Sequence, residues 1–302
     1  MTTTPKSHND DQAPAEPASL PDLQQSIAPL IDSLRQGDMD EGLFGCLLKA
    51  SFAKSFDSCK VLGSPEHESI AFLLAPVLRG TCEDLIVLRA LRDAAEPVRQ
   101  ACLYARVRRD MHSAIESQSK FFKQERPFQP VFDKADLWGD VRSLREDERR
   151  AWKELGYDVS RRDRPSTMHL AEKNGLEPLY RYVYALTSDV VHFNPRVLLR
   201  TGWSNSERTP YFSTEHFSRY YAAFSLFYSH YLLGKMYDCF SINVDAAGEY
   251  KSIFGRLQFW LDGWLRWPEV VTFEELNIKE PGAILRIALK AAHARKGVSS
   301  ED

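Results

Sequence analysis

The sequence predicts an all-α protein, in the form of a helical bundle with additional C-terminal helices. Three observations support this fold class. Apolar residues recur at three- and four-residue intervals, no segment shows sustained period-two alternation, and Gly or Pro falls at the ends of the periodic runs. The chain of 302 residues is 43% hydrophobic, which is ample for a core, and it contains no internal repeat.

The periodic runs give the order of the helices. We expect helices at about 22–36, 41–62, 65–92, 94–123, 167–173, 176–191, 214–241, 246–264 and 282–295. Pro76 must kink or split the third, because proline has no N–H for the carbonyl four residues earlier. Gly175 ends one helix, and Asn194-Pro195 ends the next.

Composition divides the chain into three regions. Residues 1–20 are rich in Pro, Ala and Asp and are expected to be a disordered tail. Residues 21–243 form the bundle core, with an insertion near 125–165 that is dense in both charges. Such a mixture is more typical of a solvated helical insertion than of a phosphate-binding patch. Residues 244–302 contain the C-terminal helices and a short disordered end.

Charge and cysteine usage narrow the classes of partner. A formal net charge of −3 creates no global field that favours nucleic acid, so any such contact needs a local patch. Five widely spaced cysteines without a C-x-x-C motif indicate buried free thiols in a reducing compartment. The first twenty residues lack an apolar signal region, and the longest uncharged run, 220–234, is too short to span a bilayer. We therefore expect a cytoplasmic protein with no membrane partner.

The sequence lacks the standard signatures of cofactor and metal chemistry. It contains no G-x-G-x-x-G, Walker loop, H-E-x-x-H, G-x-S-x-G or EF-hand loop. A carboxylate-bridged metal bundle needs two Glu-x-x-His units, and only the reversed His169-x-x-Glu172 occurs. No cofactor and no metal are therefore expected.

Two polar pairs interrupt apolar helical runs about a hundred residues apart. Arg79 and Glu83 lie in LRGTCEDLIVL, and Ser188 and His192 lie in YALTSDVVHFNP. Each pair has i,i+4 spacing, so its two side chains share one helix face. Because polar groups that point into a core need partners, we expect these two helices to pack against each other.

Arg181 extends the second pair into a stripe. With about 100° per residue, Arg181, Ser188 and His192 fall within roughly 60° of arc. In one interpretation the set is a site, where His192 is a general acid–base and Arg79 or Arg181 stabilises an anion. In the other it is a buried network in which Glu83 accepts from Arg79 or Ser188, and Glu83→Ala costs roughly 1–3 kcal/mol. Solvent access to His192 separates the two interpretations.

These motifs resemble a bacterial family known as domain of unknown function 5677. Its members share an Arg-x-x-x-Glu helix, a short Ala-Glu…Gly segment and a Tyr-x-x-x-Ser-x-x-x-His ending. Here the matching positions are Arg79 and Glu83, residues 168–175, and Tyr184, Ser188 and His192, within a resemblance that covers roughly 45–240. More distantly the chain is similar to HEPN-type helical bundles. Many of those serve in toxin–antitoxin and anti-phage systems, some as metal-independent ribonucleases.

The chain departs from the HEPN ribonuclease motif, in which an Arg precedes a His by four to six residues. Arg181 and His192 are separated by ten residues and do not fit it. Arg106…His112 and Arg164…His169 fit, but composition alone predicts as many such pairs by chance. Arg164 precedes a proline at a turn, and Arg106 is expected on a charged, exposed face.

Two functions therefore follow as expectations. The first is an effector or toxin-like component of a bacterial defence or stress module that acts on RNA. The second is a non-catalytic bundle that binds a small molecule or a partner protein encoded by a neighbouring gene. A stripe of Trp260, Trp264 and Trp267 is either part of the core or the interface of a homodimer, since Trp is enriched in interface anchors.

Overall fold

The computed structural model describes residues 19–36, 42–131, 140–159, 163–200 and 212–269. The α-helices are α1 Leu20–Arg35, α2 Gly42–Leu62, α3 Ala71–Leu74, α4 Val77–Arg92, α5 Glu96–Glu125, α6 Val141–Glu154, α7 Thr167–Lys173, α8 Glu177–Val191, α9 Pro195–Arg200, α10 Ser218–Val244 and α11 Lys251–Asp262. A 3₁₀ helix, Pro65–Ile70, precedes α3. All of the regular secondary structure in the described residues is helical, so the all-α prediction is confirmed for this part of the chain.

Helix α10 lies at the centre of the core. It packs against α2, α3, α4, α11 and the 3₁₀ helix, while α1 packs against α2 and α11. Its buried side chains include Phe224, Phe227, Leu232, Leu233, Met236 and Phe240. Because they point in all directions around the helix, α10 has apolar neighbours on every side, as expected for a helix enclosed by others.

Local sequence explains several helix ends that agree with the predictions. Helix α7 covers the predicted residues 167–173, because the Ser166 hydroxyl accepts a hydrogen bond from the His169 N–H and Gly175 has a φ of +70°. Pro76 separates α3 from α4, as predicted.

Other boundaries differ from the predictions. Helix α1 begins before Asp22, because the Ser19 hydroxyl caps it by accepting from the Asp22 N–H, and Pro21 fits the first turn. Helix α9 was not expected, since Pro195 ends α8 but also suits the first turn of a new helix. Helix α10 begins at Ser218, after Phe217 in a left-handed conformation with φ of +62°. Nearly all of the predicted tail, and the helix expected at 282–295, lie outside the described residues.

The charged insertion contains α6, which packs against α5. The outward arginines Arg145 and Arg149 pair with Asp163, as expected of a solvated surface. The opposite face is buried, and there Glu148 accepts a hydrogen bond of 2.7 Å from Arg109 of α5. The insertion thus has the expected solvated face, and its inner face in addition extends the core, so α6 is amphipathic.

The thiols are mostly buried. Burial raises the pKa of Cys59, Cys82 and Cys102 to about 12, so these thiols stay protonated at neutral pH. In the part of the chain that the structure describes, none of the helices combines the length and apolar character needed to cross a bilayer.

The chain divides into two compact units, Met1–Arg266 and Trp267–Asp302. In the first unit, Trp260 lies with its ring centroid 5.9 Å from that of His230, and Trp264 lies 5.2 Å from Phe227. These two indoles therefore cover α10, as the core interpretation requires. Trp267 belongs to the second unit. Self-association through the stripe stays a prediction.

Candidate functional site

Helix α4, which contains Arg79 and Glu83, packs against α8, which contains Ser188. The predicted pairing of these two helices is therefore confirmed. A cavity of about 580 Å³ opens beside this contact. It is lined by Arg79, Glu83, Val87, Arg106, Arg164, Pro165, Ser166, Thr167, Met168, Leu170, Tyr180 and Tyr184, and we call it the arginine cavity.

Arg79 is held in place by two neighbours. Its Nε donates a hydrogen bond of 2.8 Å to Glu83 Oε1, and its guanidinium carbon lies 4.7 Å from the centroid of the Tyr184 ring. The hydrogen bond to Glu83 is the main reason that the Arg79 pKa is raised. The side chains of Arg79 and Glu83 are 31% and 33% exposed, so this pair borders solvent instead of being sealed in a core.

Arg106 and Arg164 add two further cations from distant parts of the chain. Arg106 comes from α5, and Arg164 comes from the segment before α7. Both are near one carboxylate, because Asp110 Oδ1 lies 3.5 Å from Arg164 Nη1 and Asp110 Oδ2 lies 3.8 Å from Arg106 Nε. Asp110 is not among the lining residues, whereas Glu83 is. Three guanidinium groups and one carboxylate thus make the lining strongly cationic.

Tyr180 gives the cavity a neutral hydroxyl. Burial, reinforced by the negative charge of Glu83, raises the pKa of Tyr180, which keeps its hydroxyl protonated at neutral pH. Thr167 adds a second neutral hydroxyl to the lining. The cavity lining therefore contains neutral hydroxyl groups, which can donate or accept hydrogen bonds, beside the three cations.

The predicted stripe on α8 lies elsewhere. Arg181 is 59% exposed and donates a hydrogen bond of 2.6 Å to Glu177. His192 is the exposed C-cap of α8, and its backbone N–H donates to the Ser188 carbonyl at 2.9 Å. Arg181, Ser188 and His192 are not among the residues that line the arginine cavity.

The orientation of α8 explains this placement. Helix α8 buries Tyr180, Val183, Leu186 and Thr187. This buried stripe, with Tyr184 one turn after Tyr180, brings the two tyrosines to the cavity. Of the predicted site residues, the structure therefore brings Arg79 and Glu83 together, and it leaves the three from α8 outside.

Sequence reasoning missed Arg106 and Arg164. Each begins one of the Arg…His pairs that composition explains by chance, and their partners His112 and His169 do not line the cavity. Arg106 was expected on a charged, exposed face, and its side chain is 33% exposed and lines the cavity. Only the packing of α4, α5 and α7 brings these arginines near Arg79.

A second cavity of about 420 Å³ adjoins the first. Both are lined by Glu83, Val87, Arg106 and Thr167, so the two cavities are neighbours along these four residues, and we refer to the pair as the cleft. We call this second space the side cavity. Its other lining residues are Leu47, Ser51, Lys54, Gly80, Asp84, Leu88, Leu103, Val107 and Asp110.

The arrangement suits anion recognition. A guanidinium group offers donors in a planar fork that matches the oxygens of phosphate or carboxylate. Among the described residues, no group of three or more His, Cys, Asp or Glu side chains is placed to hold a metal ion.

Residues 66–209 match the family model of DUF5677, described as a family of unknown function. The match includes all three cavity arginines and both tyrosines, and it confirms the first part of the sequence resemblance. No curated protein and no solved structure shows significant similarity to the chain. The more distant likeness to HEPN-type bundles stays a prediction.

Proposed function

We propose that this chain binds a phosphate-bearing ligand in the arginine cavity. The observation that carries the proposal is the convergence of Arg79, Arg106 and Arg164 on a cavity with a single lining carboxylate, Glu83. Two carboxylates, Glu83 and Asp110, offset only part of the charge of the three arginines, and a bound anion would offset the remainder.

The cations are accessible to such a ligand. Arg79 and Arg164 are 31% and 42% exposed, and their carboxylate partners are also partly exposed, so these ion pairs are weak and can exchange. A volume of about 580 Å³ is within the range for small-molecule sites, and it can also admit the terminal nucleotide of an RNA strand.

This proposal connects to the expectation of an effector that acts on RNA, in a HEPN-like bundle, since RNA presents a phosphate at every nucleotide. Cleavage of RNA is a second candidate function. It is favoured by the Glu83 carboxylate, which lies in the cavity next to Arg79 and the Tyr180 hydroxyl. In that case Glu83 is the acid–base group and Arg79 stabilises the developing charge on phosphorus oxygens.

Titration calorimetry with inorganic phosphate and with a short 5′-phosphorylated single-stranded RNA tests the binding proposal. Arg79→Gln and Arg164→Gln should each weaken binding roughly tenfold or more, because each removes a charge-assisted hydrogen bond. Arg219→Gln is the matched control, since Arg219 is 94% exposed on α10 and pairs only loosely with Glu68 at 3.6 Å. Equal affinities in all three variants and the wild type would overturn the proposal.

Cleavage is tested on the same RNA by gel analysis of the products. If the chain cleaves RNA, Glu83→Gln should remove turnover while the melting temperature stays nearly unchanged. His192→Ala should keep full turnover, because His192 does not line the cavity. Loss of turnover in His192→Ala with a normal melting temperature would instead restore His192 as the catalytic residue.

A further inference from the structure

Helix α4 presents different residues to the two parts of the cleft. Arg79 lines only the arginine cavity, whereas Gly80 and Asp84 line only the side cavity. Glu83 lines both. Since neighbouring residues on a helix are about 100° apart, the row Arg79–Glu83 faces one cavity and the row Gly80–Asp84 faces the next.

The two parts differ in charge. Besides the shared Glu83 and Arg106, the arginine cavity contains only cations, Arg79 and Arg164. The side cavity adds Lys54, Asp84 and Asp110, which are one cation and two carboxylates. One end of the cleft therefore attracts an anion, and the other end repels a second anion and favours an amine.

The residues that the two parts share are mostly polar, whereas the side cavity beyond them has apolar walls, and Gly80 leaves room beside these walls. Leu88 and Leu103 are almost completely buried and line the side cavity. A Cβ atom on Gly80 would meet only the flexible Lys54 side chain, with Nζ at 3.4 Å. Glycine is less favourable than alanine in a helix interior, and here its missing side chain keeps the space beside the helix open.

From this asymmetry we propose that the ligand is an elongated phosphorylated amine. Its phosphate lies among the three arginines, its apolar body passes Gly80 along Leu88 and Leu103, and its amine reaches Asp84 and Asp110. This inference rests on the proposed phosphate site and adds the chemistry of the rest of the ligand.

Binding of such a ligand exchanges ion-pair partners. In the empty cleft, Asp110 is the carboxylate near Arg106 and Arg164. The incoming phosphate replaces it, and Asp110 is then available to the amine together with Asp84, which also pairs with Lys54 at 2.7 Å. Asp84 lies five positions after Arg79 on the helix, a rise of about 7.5 Å, so the ligand needs a body of several carbon atoms.

Three probes separate the parts of this proposal: inorganic phosphate, hexyl phosphate and aminohexyl phosphate. Calorimetry on the full chain should rank them in that order of increasing affinity. We expect about tenfold between phosphate and hexyl phosphate from burial of the alkyl chain. We expect about fivefold more for the amine, because its carboxylate partners are partly exposed.

Three variants show which part of the cleft causes each gain in affinity. Gly80→Leu fills the side cavity, so the affinity ratio of hexyl phosphate to phosphate should fall to about one; Gly80→Ala should lower it by less. Asp84→Asn combined with Asp110→Asn should abolish the preference for the amine, so that aminohexyl phosphate binds no more tightly than hexyl phosphate.

The outcomes separate this inference from the proposed function. If wild-type protein binds none of the three probes, the phosphate site itself is wrong. If it binds phosphate but does not prefer the longer probes, or if the variants keep the wild-type ratios, only the phosphorylated-amine inference is overturned.

Discussion

Polar groups on α10 and polar groups around the arginine cavity are stabilised in different ways. On α10, the buried His230 imidazole donates from Nδ1 to the Leu226 carbonyl at 2.7 Å and accepts at Nε2 from Gln24 at 2.9 Å. Around the cavity, Arg79 is charged and donates a hydrogen bond to Glu83, and both side chains are partly exposed to solvent. His230 is therefore neutral and hydrogen-bonded on both ring nitrogens, whereas the groups around the cavity are charged and open to solvent.

This difference distinguishes polar groups that the fold itself needs from polar groups that the fold does not need. A buried group must be neutral or completely paired, because desolvation of a charge is costly. A half-exposed cluster of like charges gains little stability for the fold, so its presence needs another explanation. For the arginines, the explanation that we propose is ligand binding. The two regions should therefore respond oppositely to mutation: one in stability, the other in affinity.

The largest contrast is expected between two aromatic residues. Phe224 on α10 is completely buried and packs against the rings of Tyr182 and Tyr228. Phe224→Ala should lower the free energy of unfolding by about 3–5 kcal/mol, because it leaves a cavity in the core. Tyr184→Ala at the arginine cavity should cost less than about 1 kcal/mol, since Tyr184 is exposed. Urea denaturation of both variants measures the difference, and similar losses would contradict it.

The next effect concerns pH and His230. Burial lowers the pKa of His230 from its ordinary value of about 6.5 to about 4. Between these values the unfolded chain binds the proton and the folded protein does not, so stability falls as the pH decreases from about 6.5 to about 4. The total loss should approach about 3 kcal/mol.

Urea denaturation at several pH values measures this slope. In His230→Gln the decrease in this window should be smaller, because the titrating group is gone while its hydrogen-bonding capacity is partly kept. An unchanged slope in the variant would assign the pH dependence to other groups.

The turn after α10 gives a smaller effect. Asp245 accepts hydrogen bonds from the Tyr237 hydroxyl at 2.6 Å, the Tyr250 N–H at 2.8 Å and the Glu249 N–H at 2.9 Å. Asp245→Ala should destabilise the fold by about 2 kcal/mol, since it removes a capping group and leaves a tyrosine hydroxyl unpaired. Melting temperature checks this, with Asp262→Ala on α11 as an exposed control that should change little.

The sequence was sufficient for features that local chemistry determines. The limits of α7 follow from Ser166 and Gly175, and the break between α3 and α4 follows from Pro76. The pairing of α4 with α8 was predicted correctly but for the wrong reason, because α8 turns Tyr180 and Tyr184, and not Ser188 and His192, toward the cavity beside α4.

The sequence was not sufficient for the rotation of α8. Tyr180 and Tyr184 lie one residue away from the stripe of Arg181 and Ser188, and both stripes contain polar atoms. Tyrosine has an apolar body and a polar tip, so periodicity alone does not show which stripe faces the neighbouring helix. Arg106 and Arg164 were missed for a different reason: they come from distant segments, and only tertiary packing brings them to one cavity.

The smallest effect on stability, and the sharpest test of the comparison, is expected at Glu83. A sealed network would make Glu83→Ala cost roughly 1–3 kcal/mol. The structure instead places the pair at 31% and 33% exposure, so the loss should be below about 1 kcal/mol. The same change removes the only carboxylate in the lining that competes with a ligand for Arg79, so phosphate affinity should rise about threefold. Calorimetry and urea denaturation on one preparation measure both quantities. A large stability loss with weaker phosphate binding would instead indicate that Glu83 is a structural residue like His230.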